Sequence, residues 1–184
     1  MMLAKIWKNA FIDASKHWIG RGPGAQEPLG DAVITIDRAT PLARVEPGAP
    51  WPTADAFKTS VGFLGYRLDP AGRPVLRYSV DDVVVEEAIL PLDSESDSSS
   101  KSLRRTFTIT GRGVVTILVA AGQIELLEGE ATQSSTYKID NAYRITINGS
   151  KLERLRSGDR DELRYTVDLG ESESTAVVNQ NITW

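Results

Sequence analysis

The chain has no cysteine, one histidine and two methionines in 184 residues. Without cysteine there are no disulfides, thiolate zinc sites, iron–sulfur clusters or nucleophilic thiols, and no covalent c-type haem attachment. A lone histidine and the lack of ordered acidic spacing argue against a transition-metal site and leave open only a loop calcium. No cofactor is expected. No apolar run approaches the length of a membrane span, so none is expected. The formal charge is −4, and the arginines are interleaved with Asp and Glu. Nucleic-acid partners usually meet a basic stripe, and none is present. The opening Met1 to Lys8 lacks the apolar core and small-residue cleavage site of a signal peptide. The residues themselves therefore carry no address, and a cytoplasmic location stays open.

What the chain does have is regular turn chemistry. The stretch Phe63 to Val80 holds two alternating runs around Asp69-Pro70-Ala71-Gly72, where proline presets one φ and glycine supplies a positive one. It reads as a β-hairpin. Further strands are predicted over Ala32–Ile36, Gly62–Leu68, Val75–Val80, Val83–Ala88, Leu103–Thr110, Gly113–Ala120, Tyr143–Asn148, Leu163–Asp168 and Ala176–Thr183. Leu103, Arg105, Phe107 and Ile109 share one face of their strand, as do Tyr143, Ile145 and Ile147. Asn148-Gly149 is the strongest two-residue hairpin signal.

This pattern predicts a single mostly β domain over 1–184, an antiparallel β-sandwich with long Gly/Pro-rich loops and a mutarotase-like supersandwich as its variant. Gly20 to Gly30, with four glycines and two prolines in eleven residues, must be loop. Residues 93–102, with six serines and no apolar member, are expected to form a mobile, solvated loop. Residues 2–18 are ambiguous between helix and strand. Trp51, between two prolines, is expected to plug the surface of the core.

Candidate chemistry is sparse. Asp13, Ser15 and His17 sketch a proton relay, but packing is the ordinary role for a histidine beside Trp18 and a glycine loop. Gly20-Arg21-Gly22-Pro23-Gly24 lacks the Lys-Ser/Thr ending of a phosphate loop, and Pro23 removes a needed N–H. Asp81-Asp82 reads as a polar turn, and Glu86-Glu87 as solvent-facing acids on opposite faces of a strand. Trp and Tyr residues in a β protein with long loops suit stacking on sugar rings.

Several blocks together resemble a region of the large haem c-containing, sugar-dehydrogenase-like proteins of planctomycetes and related bacteria. They are Trp7, Phe11 to Ala14, His17-Trp18, Arg21-Gly22, Gly24 and Pro28 to Gly30. Phe63, Gly65 to Asp69, Gly72 to Pro74 and Arg77-Tyr78 follow, then Leu103 to Arg105 with Phe107, and Thr183-Trp184. Asn9 and Leu76 depart from the pattern, and the haem attachment motif is missing. The resemblance implies an accessory C-terminal β domain in the periplasm or cell envelope, beside a cytochrome c-type or dehydrogenase partner domain. It assigns no catalytic residue. It also favours a strand over Leu3 to Ile12, followed by a short helical turn near Asp13 to Trp18.

Three functions follow. The first is a non-catalytic module that binds a saccharide or docks on a partner domain, using His17, Trp18, Arg21, Trp51, Tyr66, Arg67 and Arg73. The second is a sugar-acting enzyme, mutarotase- or glycosidase-like, with His17 and Asp69 or Glu86 in acid–base roles. The third is an assembly subunit that pairs through an exposed edge strand.

Overall fold

The computed structural model describes residues 3–13, 15, 26–36, 41–53, 55–56, 60–92, 101–128, 134–148 and 152–184. Among them run fourteen strands: β1 Lys5–Lys8, β2 Asp31–Thr35, β3 Leu42–Ala43, β4 Val61–Leu68, β5 Pro74–Val80, β6 Val83–Leu92, β7 Ser102–Gly111, β8 Val114–Gly122, β9 Ile124–Glu128, β10 Ser134–Ile139, β11 Tyr143–Asn148, β12 Leu152–Ser157, β13 Arg160–Asp168 and β14 Ser174–Thr183. They form an eight-stranded sheet ordered β4-β5-β6-β7-β14-β11-β10-β9, a four-stranded sheet ordered β12-β13-β8-β3, and the pair β1-β2. Every pairing is antiparallel. No helix among the described residues is long and apolar enough to cross a membrane.

The mostly β, sandwich-like architecture follows from period-2 alternation. Along β7, Leu103, Arg105, Phe107 and Ile109 are buried while the residues between them reach solvent. Val178 and Ile182 of β14, with Tyr143, Ile145 and Ile147 of β11, continue that inner face. Val115 and Ile117 of β8 and Leu163 and Val167 of β13 join the same core from the four-stranded sheet. Burying such side chains is worth about 1.5–3 kcal/mol each.

The chain passes between the sheets at Gly122. Its φ is +143°, and a Cβ there would lie 2.5 Å from a carboxylate oxygen of Asp140. That carboxylate accepts a 2.7 Å hydrogen bond from the Gln123 amide, so only glycine fits the corner. Asp140 and Asn141 then turn β10 into β11 with positive φ at both residues, and Ala142 N–H donates to the Ile139 carbonyl at 2.9 Å. This is the mirror-image turn that suits strand twist.

Asn148-Gly149 makes no such hairpin. The strands on either side of it, β11 and β12, lie in different sheets. The expected hairpin is therefore corrected: the chain ends β11 here, and the partner of each strand is set by distant segments. The first strand is shorter than Leu3 to Ile12: β1 ends at Lys8, Asn9 has φ +78°, and Ile12 makes only an isolated bridge to Pro28. The helical turn over 13–18 lies outside the described residues except for Asp13 and Ser15. Of the Ser-rich stretch, 93–100 lies outside them too, and Ser102 already belongs to β7, its hydroxyl 2.9 Å from that of Thr183. Strands β3, β9, β10 and β12 lacked strong alternation and were not foreseen.

A candidate docking edge and the buried charges behind it

The β4–β5 hairpin is built around one carboxylate. Asp69 accepts hydrogen bonds from the Ala71 and Arg73 amides and from the Arg73 guanidinium, each at 2.9 Å. Gly72 closes the turn at φ +78°. The Arg73 amide first, then its guanidinium and the Ala71 amide, hold the Asp69 carboxyl below its ordinary value against partial desolvation. A depressed carboxyl contributes stability above its unfolded pKa that is lost as pH falls through its folded one. Asp69→Asn is therefore expected to melt below wild type at neutral pH, with the gap closing in acid. Thermal melts across pH test this, and a gap that stays constant into acid would refute it.

Beyond the turn, β4 is the edge of the larger sheet. Val61, Phe63, Tyr66 and Leu68 lie opposite Val80, Tyr78, Leu76 and Pro74, with one bulge between Phe63 and Gly65. They thus extend the core-facing side of β5. Yet Tyr78 and Val80 are buried, whereas Phe63, Tyr66 and Leu68 are 61%, 66% and 59% exposed. The cover of the inner face thins along β5, where Leu76 is half-buried and Pro74 exposed, and does not reach Phe63, Tyr66 or Leu68 of β4. Only Val61 still packs, against both the main core and the cluster of Ala43, Trp51 and Leu118. The bulged Leu64 is exposed as well. The opposite edge, β9, is shorter and carries Glu125 and Glu128, the charges that blunt an edge strand. In β4, Arg67 is the only charged residue.

Glu86 and Glu87 take opposite faces, as alternation requires. Glu86 is partly exposed and pairs with Arg67 at 3.0 Å. Glu87, expected at the solvent face, is instead buried: it stands in register with Phe107 on the core side. Arg105 Nε donates to Glu87 Oε1 at 2.5 Å, and the Tyr78 hydroxyl donates to Oε2 at 2.9 Å. The Arg105 guanidinium also lies 4.6 Å from the Phe107 ring centre, a cation–π contact. Burial first, and the Glu87 charge second, push the Tyr78 phenol far above its ordinary value, so it remains a donor. The signal was present in the sequence, since an arginine on the apolar face of a strand demands a buried counter-charge.

Of the residues expected in a binding patch, Tyr66, Arg67 and Arg73 share this hairpin but not one face: Tyr66 is on the core-facing side, Arg67 is on the other with Glu86, and Arg73 is held at the turn by Asp69. Trp51 does not join them. It is buried on the outer face of the four-stranded sheet, where the Arg164 guanidinium lies 5.3 Å from its ring centre. That is the plug the flanking prolines suggested. His17, Trp18 and Arg21 lie outside the described residues. Asp69 and Glu86, the two acids considered for acid–base chemistry, are each engaged by an arginine. Among the described residues no group of histidine and acids is arranged to hold a metal.

The fold and this edge define an antiparallel β-sandwich whose larger sheet is wider than its cover. No family model, curated protein or solved structure matches the chain.

Proposed function

We propose that the protein is a non-catalytic β-sandwich module that docks on a partner polypeptide along β4. One observation carries the reading: Phe63, Tyr66 and Leu68, three successive core-facing positions, are exposed on a strand paired on one side only among the described residues. Such an edge offers backbone donors and acceptors to an added strand, with apolar side chains alternating beside them for specificity. The bulge at Leu64 twists the edge and selects against indiscriminate pairing. The resemblance in the sequence supplies the kind of partner: a cytochrome c-type or sugar-oxidising domain in the cell envelope.

A second reading, saccharide binding, is favoured by Tyr66 alone, an exposed ring on the edge strand. Photocrosslinking in the native host separates the two. A benzophenone side chain at residue 66 is expected to capture one discrete protein, and the same group at Thr108, on the other face, is expected to capture none. Leu68→Glu should abolish the adduct. Adducts with a second copy alone would favour the assembly subunit. No adduct, with saturable sugar quenching of fluorescence lost in Tyr66→Ala, would favour the saccharide reading.

A further inference from the structure

The β4 edge has a second face, and its charges do not balance. On the outer side of the larger sheet, Arg77 stands in register between Gly65 and Glu86, and Arg67 lies in the next row, opposite Val75. One carboxylate thus faces two guanidinium groups, and Arg67 takes it at 3.0 Å. The acid of the hairpin itself, Asp69, is engaged by Arg73 at the turn. Arg77 is exposed and forms no ion pair among the described residues.

Gly65 leaves Arg77 open towards the edge. A Cβ at Gly65 would meet no atom within 4 Å, so no β4 side chain stands between that guanidinium and an incoming strand. Such a strand would lie about 10 Å from β5, two strand spacings away. An arginine and a glutamate can together close that gap across a glycine. The backbone sets where each incoming residue falls. The Asp69 N–H donates to the Arg73 carbonyl, and the Asp81 N–H to the Ser60 carbonyl. Alternation along an antiparallel ladder then turns the N–H and C=O groups of Val61, Phe63, Tyr66 and Leu68 outward, with the bulge keeping both halves in phase. Residues opposite these four share the uncovered apolar side, and those between them share the outer side with Arg67 and Arg77.

We infer that the segment docked by β4 is an extended strand alternating apolar and acidic residues, with a carboxylate opposite Gly65 that pairs with Arg77. This rests on β4 being a docking edge and adds the charge pattern of its partner. The apolar positions alone would accept any hydrophobic strand, and Arg77 makes the selection. Random octapeptides displayed on phage, panned against the immobilised chain with Leu68→Glu as the counter-selection, test it. Enriched peptides should alternate Val, Ile or aromatic residues with Asp or Glu. In fluorescence anisotropy, changing the central acid of an enriched peptide to its amide should weaken binding about 5-fold, the upper end for an exposed ion pair. Arg77→Gln should weaken the acidic peptide equally and make the acid and amide forms equivalent. Arg104→Gln, on the same face but three strands from β4, should change neither. Unchanged circular dichroism in both variants guards against misfolding. Enriched peptides without acids, or an acid preference that survives Arg77→Gln, would overturn the inference and leave the docking edge in place. No enrichment over Leu68→Glu would overturn it too. The docking reading fails separately, when the benzophenone at residue 66 captures no protein in the host.

Discussion

Arg105→Met is expected to destabilise the fold by about 3–5 kcal/mol, because it leaves a buried carboxylate without its cation. Glu87 is 2% exposed and would keep only the Tyr78 hydroxyl. Methionine restores much of the lost volume, so the cost isolates the charge from the cavity. Phe107 would also lose the guanidinium over its ring. The partner experiment is Glu87→Leu in the Arg105→Met background. The native pair is imperfectly satisfied, since Arg105 carries a terminal nitrogen that is buried without a partner. Replacing both charges by apolar groups of similar size should therefore recover most of the stability. Equilibrium urea unfolding measures both values. A single-variant cost below about 1 kcal/mol would refute the argument, as would a double variant no more stable than the single.

Arg164→Met should have an effect of similar origin on the opposite face, by about 3 kcal/mol. Arg164 donates to Glu162 Oε2 from two nitrogens, at 3.0 and 2.6 Å, and to the Ala49 carbonyl at 2.7 Å. Without it, Glu162 keeps, among the described residues, only the longer 3.8 Å contact with Arg160, which places the cost at the lower end. This variant carries a second readout. Arg164 ties the segment bearing Trp51 to β13, whereas the other end of that segment is clamped by Arg44, which bonds Asp82 and the carbonyls of Arg112 and Val114. Loss of Arg164 should release Trp51 to water, giving a red-shifted emission and faster proteolytic cutting between residues 45 and 53. Arg44→Gln should loosen the segment while leaving Trp51 seated. Unshifted emission in folded Arg164→Met would show that Trp51 is held by its apolar neighbours alone.

Both buried pairs show where sequence reading reached its limit. The alternation of Leu103, Arg105, Phe107 and Ile109 put Arg105 on one face with three apolar residues, and that face is the buried one. It could not name Glu87 as partner, because that depends on β6 pairing with β7 in one register. Glu87 was expected in solvent because a single acid in a half-polar strand carries no mark of its face. The Asp69 turn was legible in full, since every group that satisfies it lies within four residues. Asn148-Gly149 predicts a hairpin that does not form, because a dipeptide's backbone preference says nothing of which strand lies alongside. The candidate site divides the same way. Tyr66, Arg67 and Arg73 were singled out by residue type and proved to share a hairpin. Phe63 and Leu68 look like core positions in any alternating strand, and only the mismatch in sheet widths exposes them.

By itself, the sequence determined the strand period, the turn at Asp69, the breaks between strands and the mostly β class. These rest on interactions between near neighbours, which short-range backbone sterics and burial of alternate side chains decide. Only the tertiary structure decided which strands pair, which charges are buried together and how far one sheet overhangs the other. Those are outcomes of register and packing between segments tens of residues apart, and no near-neighbour preference contains them.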